Sequence, residues 1–443
     1  MMYYYLETYG CQMNVADSEW VAGLLDKSGY RRTQRLEDAK IILINTCAIR
    51  EKAEETVHSR LGRLAELKQK DPSILIGVLG CMAKNLADSL LESKPYVDLV
   101  LGPDSYRRLP EIIRQRQAGQ GRSVDTQLSR FEVYDDLFPT RQSGVNAWLS
   151  IMRGCDKFCT FCVVPFTRGR ERSRSVESLL AEAEDAIDQG FVELTLLGQN
   201  VNSYRHGEAR FPDLLTALAA VEGVRRIRYT SPHPSDIDRR LLDVMAAHPN
   251  ICKSIHLPLQ SGADRILRRM NRTYTQGEYL ALVARIREVL PDCSLSTDII
   301  VGFPGETEGE FLATLEVMEQ VKFDSAFTFK YSVRPGTKAA EYQDQVPEEV
   351  KQARLKRLLE LQKPISLRRN RAYVGRIVEV LVEKESKKSD RQWAGRTDSN
   401  KWVVFDKESA RIKDFVDVHI DSSYGVALKG HLVAPSEAYH AVA

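Results

Sequence analysis

The chain has 443 residues, 43% hydrophobic and 28% charged, the make-up of an ordinary soluble protein with two to four domains. Its net charge of +2 announces no nucleic-acid partner, no apolar run approaches a membrane span, and the first residues lack the basic and apolar stretches of a secretory signal. Eight cysteines without such a signal point to metal or redox chemistry in a reducing, cytoplasmic setting rather than to a disulfide framework.

The first hundred residues alternate short apolar strands with helices, the pattern of a parallel α/β sheet. Strands are expected over 3–9, 41–45 and 74–79, and helices over 14–27, 50–70 and 84–92. A cysteine follows each strand: Cys11, Cys47 and Cys81, spaced 36 and 34 residues apart, about one βα unit each. The carboxyl ends of neighbouring parallel strands converge on one crevice, so three thiols far apart in sequence are expected to meet. Buried structural cysteine is the plainer use of this residue type; three out of three at strand ends favours a three-thiolate iron–sulfur site. Cys252 and Cys293 have no such pattern and are expected in the core. Residues 102–146 carry Gly-Gln-Gly and little periodicity, and suggest an exposed connection. The expected domains are 1–120, a linker over 121–146, 147–366 and 367–435.

Next comes a single loop with three cysteines, Cys155-Asp-Lys-Phe-Cys159-Thr-Phe161-Cys162. Thiolates are the soft ligands of iron–sulfur clusters, and three of them leave one iron of a four-iron cubane open to bind something else. A zinc knuckle is the competing use, but zinc takes four ligands and no His or fourth Cys lies near. The spacing resembles that of the radical S-adenosylmethionine (SAM) superfamily, in which an aromatic residue usually stands where Phe161 does.

From 147 the strand–helix pattern repeats six times, with strands expected over 147–152, 192–197, 226–229, 254–258, 294–301 and 325–331. Ser235 and Thr307 carry the acidic followers of a capping box. Six units are two short of a full (βα)8 barrel, so a partial barrel open at the side is expected, with chemistry at the C-terminal strand ends. Candidate SAM contacts there are Phe161, Gln199, Asn200, Ser231, Gln260, Thr297, Gly302 and Phe303, although glycine-rich strand ends are equally plain turns.

Residues 351–372 hold eight Lys or Arg against the single Glu360. About five short β-like runs follow, including 377–382, 401–405, 415–420 and 426–432, which suggests a small closed barrel of the OB kind. Arg391, Trp393, Arg396 and Trp402 are candidates for stacking on bases. A solvated helix face beside an ordinary barrel is the alternative. A further basic run, Arg168-Gly-Arg170-Glu-Arg172-Ser-Arg174, sits just past the cysteine loop.

Over essentially its whole length the chain resembles the methylthiotransferases of the radical SAM superfamily: a three-cysteine domain, a radical SAM domain and a TRAM domain. The stretches Gly10-Cys-Gln-Met-Asn14-Val-Ala-Asp-Ser-Glu19, Asn45-Thr-Cys-Ala-Ile-Arg-Glu51, Gly80-Cys-Met-Ala83 and Met152-Arg-Gly-Cys-Asp-Lys-Phe-Cys159 are similar to the branch that acts on prenylated tRNA. The resemblance implies two 4Fe-4S clusters, on Cys11, Cys47 and Cys81 and on Cys155, Cys159 and Cys162. It implies SAM as radical source and methyl donor, and a methylthio group placed on carbon 2 of N6-dimethylallyladenosine beside the tRNA anticodon. The tRNA anticodon stem-loop, a low-potential electron donor such as flavodoxin or ferredoxin, no membrane and a monomeric state complete the expectation. The other readings are methylthiolation of a ribosomal-protein aspartate and a non-catalytic iron–sulfur RNA-binding sensor. No acid/base pair, triad or P-loop is visible, as cofactor-borne chemistry predicts.

Overall fold

The computed structural model describes residues 2–47 and 51–433; Ala48, Ile49 and Arg50, with the expected helix start at Arg50, and residues 434–435 of the expected last domain lie outside the described residues. The N-terminal part is a six-stranded sheet of order β2-β1-β3-β4-β5-β6. Its strands β1 (Tyr3–Tyr9), β2 (Arg31–Arg32), β3 (Ile41–Thr46), β4 (Leu75–Gly80), β5 (Leu99–Leu101) and β6 (Ser123–Asp125) are all parallel. Crossovers run through α1 (Gln12–Lys27), α2 (Glu51–Lys70), α3 (Cys81–Ser93) and α4 (Leu109–Gln117). Helices cover both faces, so β3 and β4 are buried at every residue and read as unbroken apolar runs. Residues 102–146 are only in part the exposed connection that their weak periodicity suggested: 118–133 hold no buried residue, but the rest is anchored. They contain α4 and β6, and Tyr134 is fully buried, stacked near Trp20 and Tyr106 at 5.1 and 5.9 Å. Single anchors hold this stretch in place of a periodic face: the Tyr134 hydroxyl donates to the Pro103 carbonyl (2.8 Å).

The central part repeats βα six times. Strand β7 (Asn146–Ser150) ends two residues earlier than expected, because β8 (Met152–Arg153) leaves the sheet to pair with β9 (Arg172–Ser173), the residues on either side of α5 (Val164–Arg168). After α6 (Val176–Asp188) come β10 (Glu193–Leu197), the ribbon β11 (Arg205–His206) and β12 (Ala209–Arg210), α7 (Phe211–Ala219) and β13 (Arg226–Tyr229). Helix α8 (Arg239–Ala247) is capped by Asp238, whose carboxylate accepts from Leu241 N (2.8 Å). Ser235 belongs instead to a 3-10 turn over Pro234–Asp236, since Pro234 starts that turn early. Then follow β14 (Ser254–His256), α9 (Asp264–Arg269), α10 (Gln276–Val289), β15 (Ser294–Val301), α11 (Glu308–Val321) and β16 (Ser325–Lys330). Thr307 and Glu310 form the capping box of α11 as expected. The strands make two parallel three-stranded sheets, β13-β10-β7 and β14-β15-β16, joined by a bridge between Ile227 and Ile251.

Helix α12 (Glu348–Arg371) then leads into a closed five-stranded barrel of β17 (Ile377–Ser386), β18 (Ser389–Arg396), β19 (Trp402–Asp406), β20 (Phe415–Tyr424) and β21 (Ala427–Leu432). Half of the basic run on α12 is tied to the protein, while Lys356, Lys363, Arg368 and Arg371 stay exposed. Lys351 donates to the Tyr331 carbonyl (3.1 Å), Arg354 pairs with Glu306 (2.9 Å), Arg357 with Glu308 and Arg369 with Asp324 (3.1 Å). The small barrel docks on the N-terminal ends of the central strands. Arg228 donates to Glu193 (2.8 Å) and to the Thr397 and Asp398 carbonyls, Ser294 to the Ser399 carbonyl, and Lys401 pairs with Asp324 (2.7 Å). Residues 397–401 thus floor the central barrel. Arg396 is held there by Glu193 and Glu383, and the half-buried Trp393 is fixed by its indole N–H donating to the Ala410 carbonyl. Arg391 stays exposed, and Trp402 lies half-buried under Lys384 and Arg396.

Candidate active site at the carboxyl ends of the barrel strands

The cysteine loop leaves the end of β8 and is pinned at both sides. Cys155 N donates to the Gly169 carbonyl (3.1 Å), Cys162 N to the Cys159 carbonyl (3.0 Å) and Thr160 N to the Met270 carbonyl (3.1 Å). Asn271 Nδ2 donates to the carbonyls of Lys157 and Phe158, both at 3.0 Å, and Phe158 takes a left-handed φ of +48°. Three half-buried thiols therefore stand on one tightened turn, a donor set that fits an iron–sulfur cluster with one iron left open. Burial pushes Cys162 up to about 12 and Cys155 to about 11, so a bound metal must displace their protons. Arg272 donates to the Cys159 sulfur (3.4 Å) from below, its guanidinium resting on the Tyr274 ring.

The three strand-end cysteines lie at the same edge of the sheet, with Cys11 in thiol contact with Cys47. Cys11 caps α1, Cys47 follows β3, and Cys81 opens α3 directly after β4. Gly10 sits at φ +124°, and a Cβ there would stand 2.5 Å from the Cys47 Cβ, so only glycine lets the two cysteines approach. Buried Asn14 and Asn45 tie the strand ends together, Asn45 Nδ2 donating to the Asn14 carbonyl at 2.9 Å. A thiol hydrogen bond with Cys47, aided by the charge of Arg168, brings Cys11 down to about 6. Burial pushes Cys81 up, although Arg168 Nε donates to its sulfur at 3.1 Å.

Both sets lie at one seam. Cys81 packs against Val163, the residue after Cys162, while Cys11 and Met13 pack with Leu197 and Trp148 of the barrel. Asp17 is the charge centre of that seam, pairing with Arg168 (2.7 Å) and Arg153 (2.9 Å); against the opposing effect of burial, these two arginines hold its carboxyl below the usual range. The basic run after the loop is thus structural. Arg172 pairs with Asp104, Arg174 with Glu182, and only Arg170, on Asp156, is exposed.

The eight expected cofactor contacts divide. Gln260 is buried at a left-handed φ of +65°, and its Oε1 has no partner among the described residues, leaving an acceptor for a ligand. Gln199 is half-buried and accepts from Gly154 N at the root of the cysteine loop. Ser231 is exposed at φ +55°. Asn200 donates to Asp236 (2.8 Å) and accepts from His233 N (3.1 Å), and Thr297 Oγ1 accepts from Leu259 N (3.0 Å). Gly302 makes room for the Lys351 side chain rather than for a ligand. Phe303 is fully buried, 6.3 Å from Phe161, and backs that ring instead of facing the crevice. The sequence reading missed Arg272, Arg168, Asp17 and His233. His233 is held neutral, its burial lowering it to about 2, and its Nε2 has no hydrogen-bond partner among the described residues.

Residues 3–102 match Uncharacterized protein family UPF0004, residues 149–318 the Radical SAM superfamily and residues 371–433 the TRAM domain. The chain is 48% identical over 439 residues to the tRNA-2-methylthio-N(6)-dimethylallyladenosine synthase of Porphyromonas gingivalis, covering 97% of this chain and 94% of that one. It is 46% identical over 430 residues to the protein of the same description from Chloroherpeton thalassium, with 96% and 95% covered. Among solved structures, the radical S-adenosylmethionine methyltransferase TsrM from Kitasatospora setae superposes with a TM-score of 0.58 at 14% identity over 77% of this chain and 75% of that one, a likeness of fold.

Proposed function

The chain belongs to the family of tRNA-2-methylthio-N(6)-dimethylallyladenosine synthases, and from that premise we propose that it places a methylthio group on carbon 2 of N6-dimethylallyladenosine beside the tRNA anticodon. It is a transferase of the radical SAM superfamily, whose members use a 4Fe-4S cluster and S-adenosylmethionine. When bound, a cluster on Cys155, Cys159 and Cys162 would supply one-electron cleavage of S-adenosylmethionine, and a second on Cys11, Cys47 and Cys81 the sulfur to be methylated and moved.

The observation that carries this reading is the seam. Cys81 touches Val163 next to Cys162, so radical formation and sulfur delivery can address one base without a long transfer. The chain's own residues hold and orient. Arg272 fixes Cys159, Arg168 fixes Cys81, and Asp17 locks Arg168 to Arg153 at the root of the cysteine loop. Gln260 offers its free amide oxygen to the cofactor side of the crevice. The electron arrives from a low-potential donor such as flavodoxin or ferredoxin, and the enzyme works as a cytoplasmic monomer; no helix among the described residues is long and apolar enough to cross a membrane.

Mass spectrometry of tRNA nucleosides from a strain lacking the gene tests the reading. N6-dimethylallyladenosine without its methylthio group should accumulate and disappear on complementation. An unchanged level of the methylthiolated nucleoside would contradict it, and a missing methylthio group on a ribosomal-protein aspartate would move the activity to the other substrate.

A further inference from the structure

The second half of the barrel leaves two large aromatic side chains uncovered. On β15, Leu295, Ile299 and Val301 point to the helices and enter the main core, so the alternate residues Ser296, Asp298 and Ile300 face the barrel interior. Register carries that inner face onto the neighbouring strands: His256 lies opposite Ser296, Phe327 opposite Asp298, and Phe329 opposite Ile300. Phe327 is 57% exposed and Phe329 52%, on the last strand of an incomplete barrel. Phenylalanines with this much open surface on an inward face mark a place where something apolar binds.

The same face is continuous with the cysteine loop, since Ile300 packs in the cluster that holds Phe161, the residue before Cys162. One polar device interrupts it. His256 is held between Ser296 Oγ (2.9 Å) and the Asp298 carboxylate (3.2 Å), with its ring edge-on to Phe327 at 5.9 Å. Residues 397–401 close the floor below, so entry is from the open side beyond β16.

The geometry points to this wall as the pocket for the flipped prenylated adenine: Phe327 and Phe329 take the base face and the branched isoprenoid group, and Asp298, oriented by His256, accepts from the one N–H left on the alkylated N6. The assignment rests on the function proposed above. It makes the two phenylalanines substrate contacts that select for the prenyl group, and His256 a positioning residue. An unmodified adenosine would leave the aromatic wall wet, whereas the isoprenoid covers it.

Holoenzyme binding to two anticodon stem-loop RNAs, identical except for N6-dimethylallyladenosine or adenosine at the target position, reads this directly. Wild type should prefer the prenylated RNA by at least about tenfold, the effect of a well-formed apolar contact of one or two carbons or more. Phe327→Ala and Phe329→Ala should each cut that preference to within about threefold by weakening the prenylated RNA more than the unmodified one, with iron content and RNA-independent 5′-deoxyadenosine formation unchanged. Phe327→Leu, which keeps apolar bulk, should retain most of the preference. His256→Ala should raise KM for the prenylated RNA more than it lowers kcat. If wild type converts prenylated RNA to the methylthio product while both alanine variants keep the full preference, the pocket is overturned and the function stands. If wild type makes no product from either RNA, both are overturned.

Discussion

The two sets of cysteines stand at one seam but are built by different means. Cys155, Cys159 and Cys162 share one loop, shaped by hydrogen bonds from Thr160, Cys162 and Asn271 within reach of the same turn and the α9 end. Cys11, Cys47 and Cys81 come from three strand ends and exist as a group only when the parallel sheet has formed. Each set is backed by one arginine on one sulfur, Arg272 on Cys159 and Arg168 on Cys81. Yet Arg168 comes from the central domain, six residues past Cys162, so the scattered set is completed across the seam while the loop set is complete on its own side. The loop set should therefore tolerate damage to the N-terminal sheet, and the scattered set should not tolerate damage to the seam.

The largest effects should separate the two sets by product. Cys47→Ala should abolish methylthio transfer to prenylated tRNA yet leave 5′-deoxyadenosine measurable by liquid chromatography, whereas Cys159→Ala should remove 5′-deoxyadenosine outright. Loss of 5′-deoxyadenosine in the Cys47 variant, with the loop cluster still visible by spectroscopy, would erase the distinction. Asp17→Asn strikes the seam itself, leaving buried Arg153 and Arg168 without their shared carboxylate. Removing one partner of a buried ion pair costs about 3–5 kcal/mol; equilibrium denaturation should show a loss of that order, and a change below about 1 kcal/mol would mean that the seam is not held by charge.

One pH effect should arise in the scattered set's helix, beside that of Glu306 in the central domain, which burial raises to about 7 in the same way. Burial raises Glu19 of α1 from 4.5 to about 7. A carboxyl raised in the folded state favours folding below its unfolded value, and that advantage is lost as pH climbs from about 4.5 to about 7. At 1.36 kcal/mol per unit the loss reaches about 3 kcal/mol at most. Glu19→Gln should reduce the slope of stability against pH over that window, leaving the share that belongs to Glu306, and stabilise the protein at pH 8; an unaltered slope in urea midpoints measured at pH 5 and pH 8 would rule this out. The smallest effect compares the two arginines. Arg272→Met and Arg168→Met should each weaken iron retention about 10–100-fold at its own set only, the usual cost of losing a group that supports a ligand. Equal loss at both sets from either variant would show that they are not independent.

The loop set was legible in sequence because its ligands and their spacing are local. The strand-end placement of Cys11, Cys47 and Cys81 was legible through topology, since each follows a strand of one parallel sheet. What stayed hidden depends on side-chain partners, several of them far away in sequence. Arg168, Arg172 and Arg174 stood out only as part of a basic run, and nothing in the sequence singles out Asp17, Asp104 and Glu182 as their buried partners. Arg396 looked available for RNA until Glu193, some two hundred residues earlier, claimed it at the barrel floor. Phe303 sat in a plausible glycine-rich turn, and only packing shows it behind Phe161. The same long-range docking bears on how RNA affinity is probed. Deleting the small barrel would strip Arg228 and Asp324 of buried partners, so substitutions at exposed Arg391 are the cleaner probe.

Iron content after anaerobic reconstitution tests the two-set account most directly. With four irons per cubane, the full chain should approach about eight per molecule, and the triple variant Cys155→Ala, Cys159→Ala, Cys162→Ala should keep about four, held by Cys11, Cys47 and Cys81. Retention of all the iron, or loss of all of it from a folded triple variant, would contradict two independent sites.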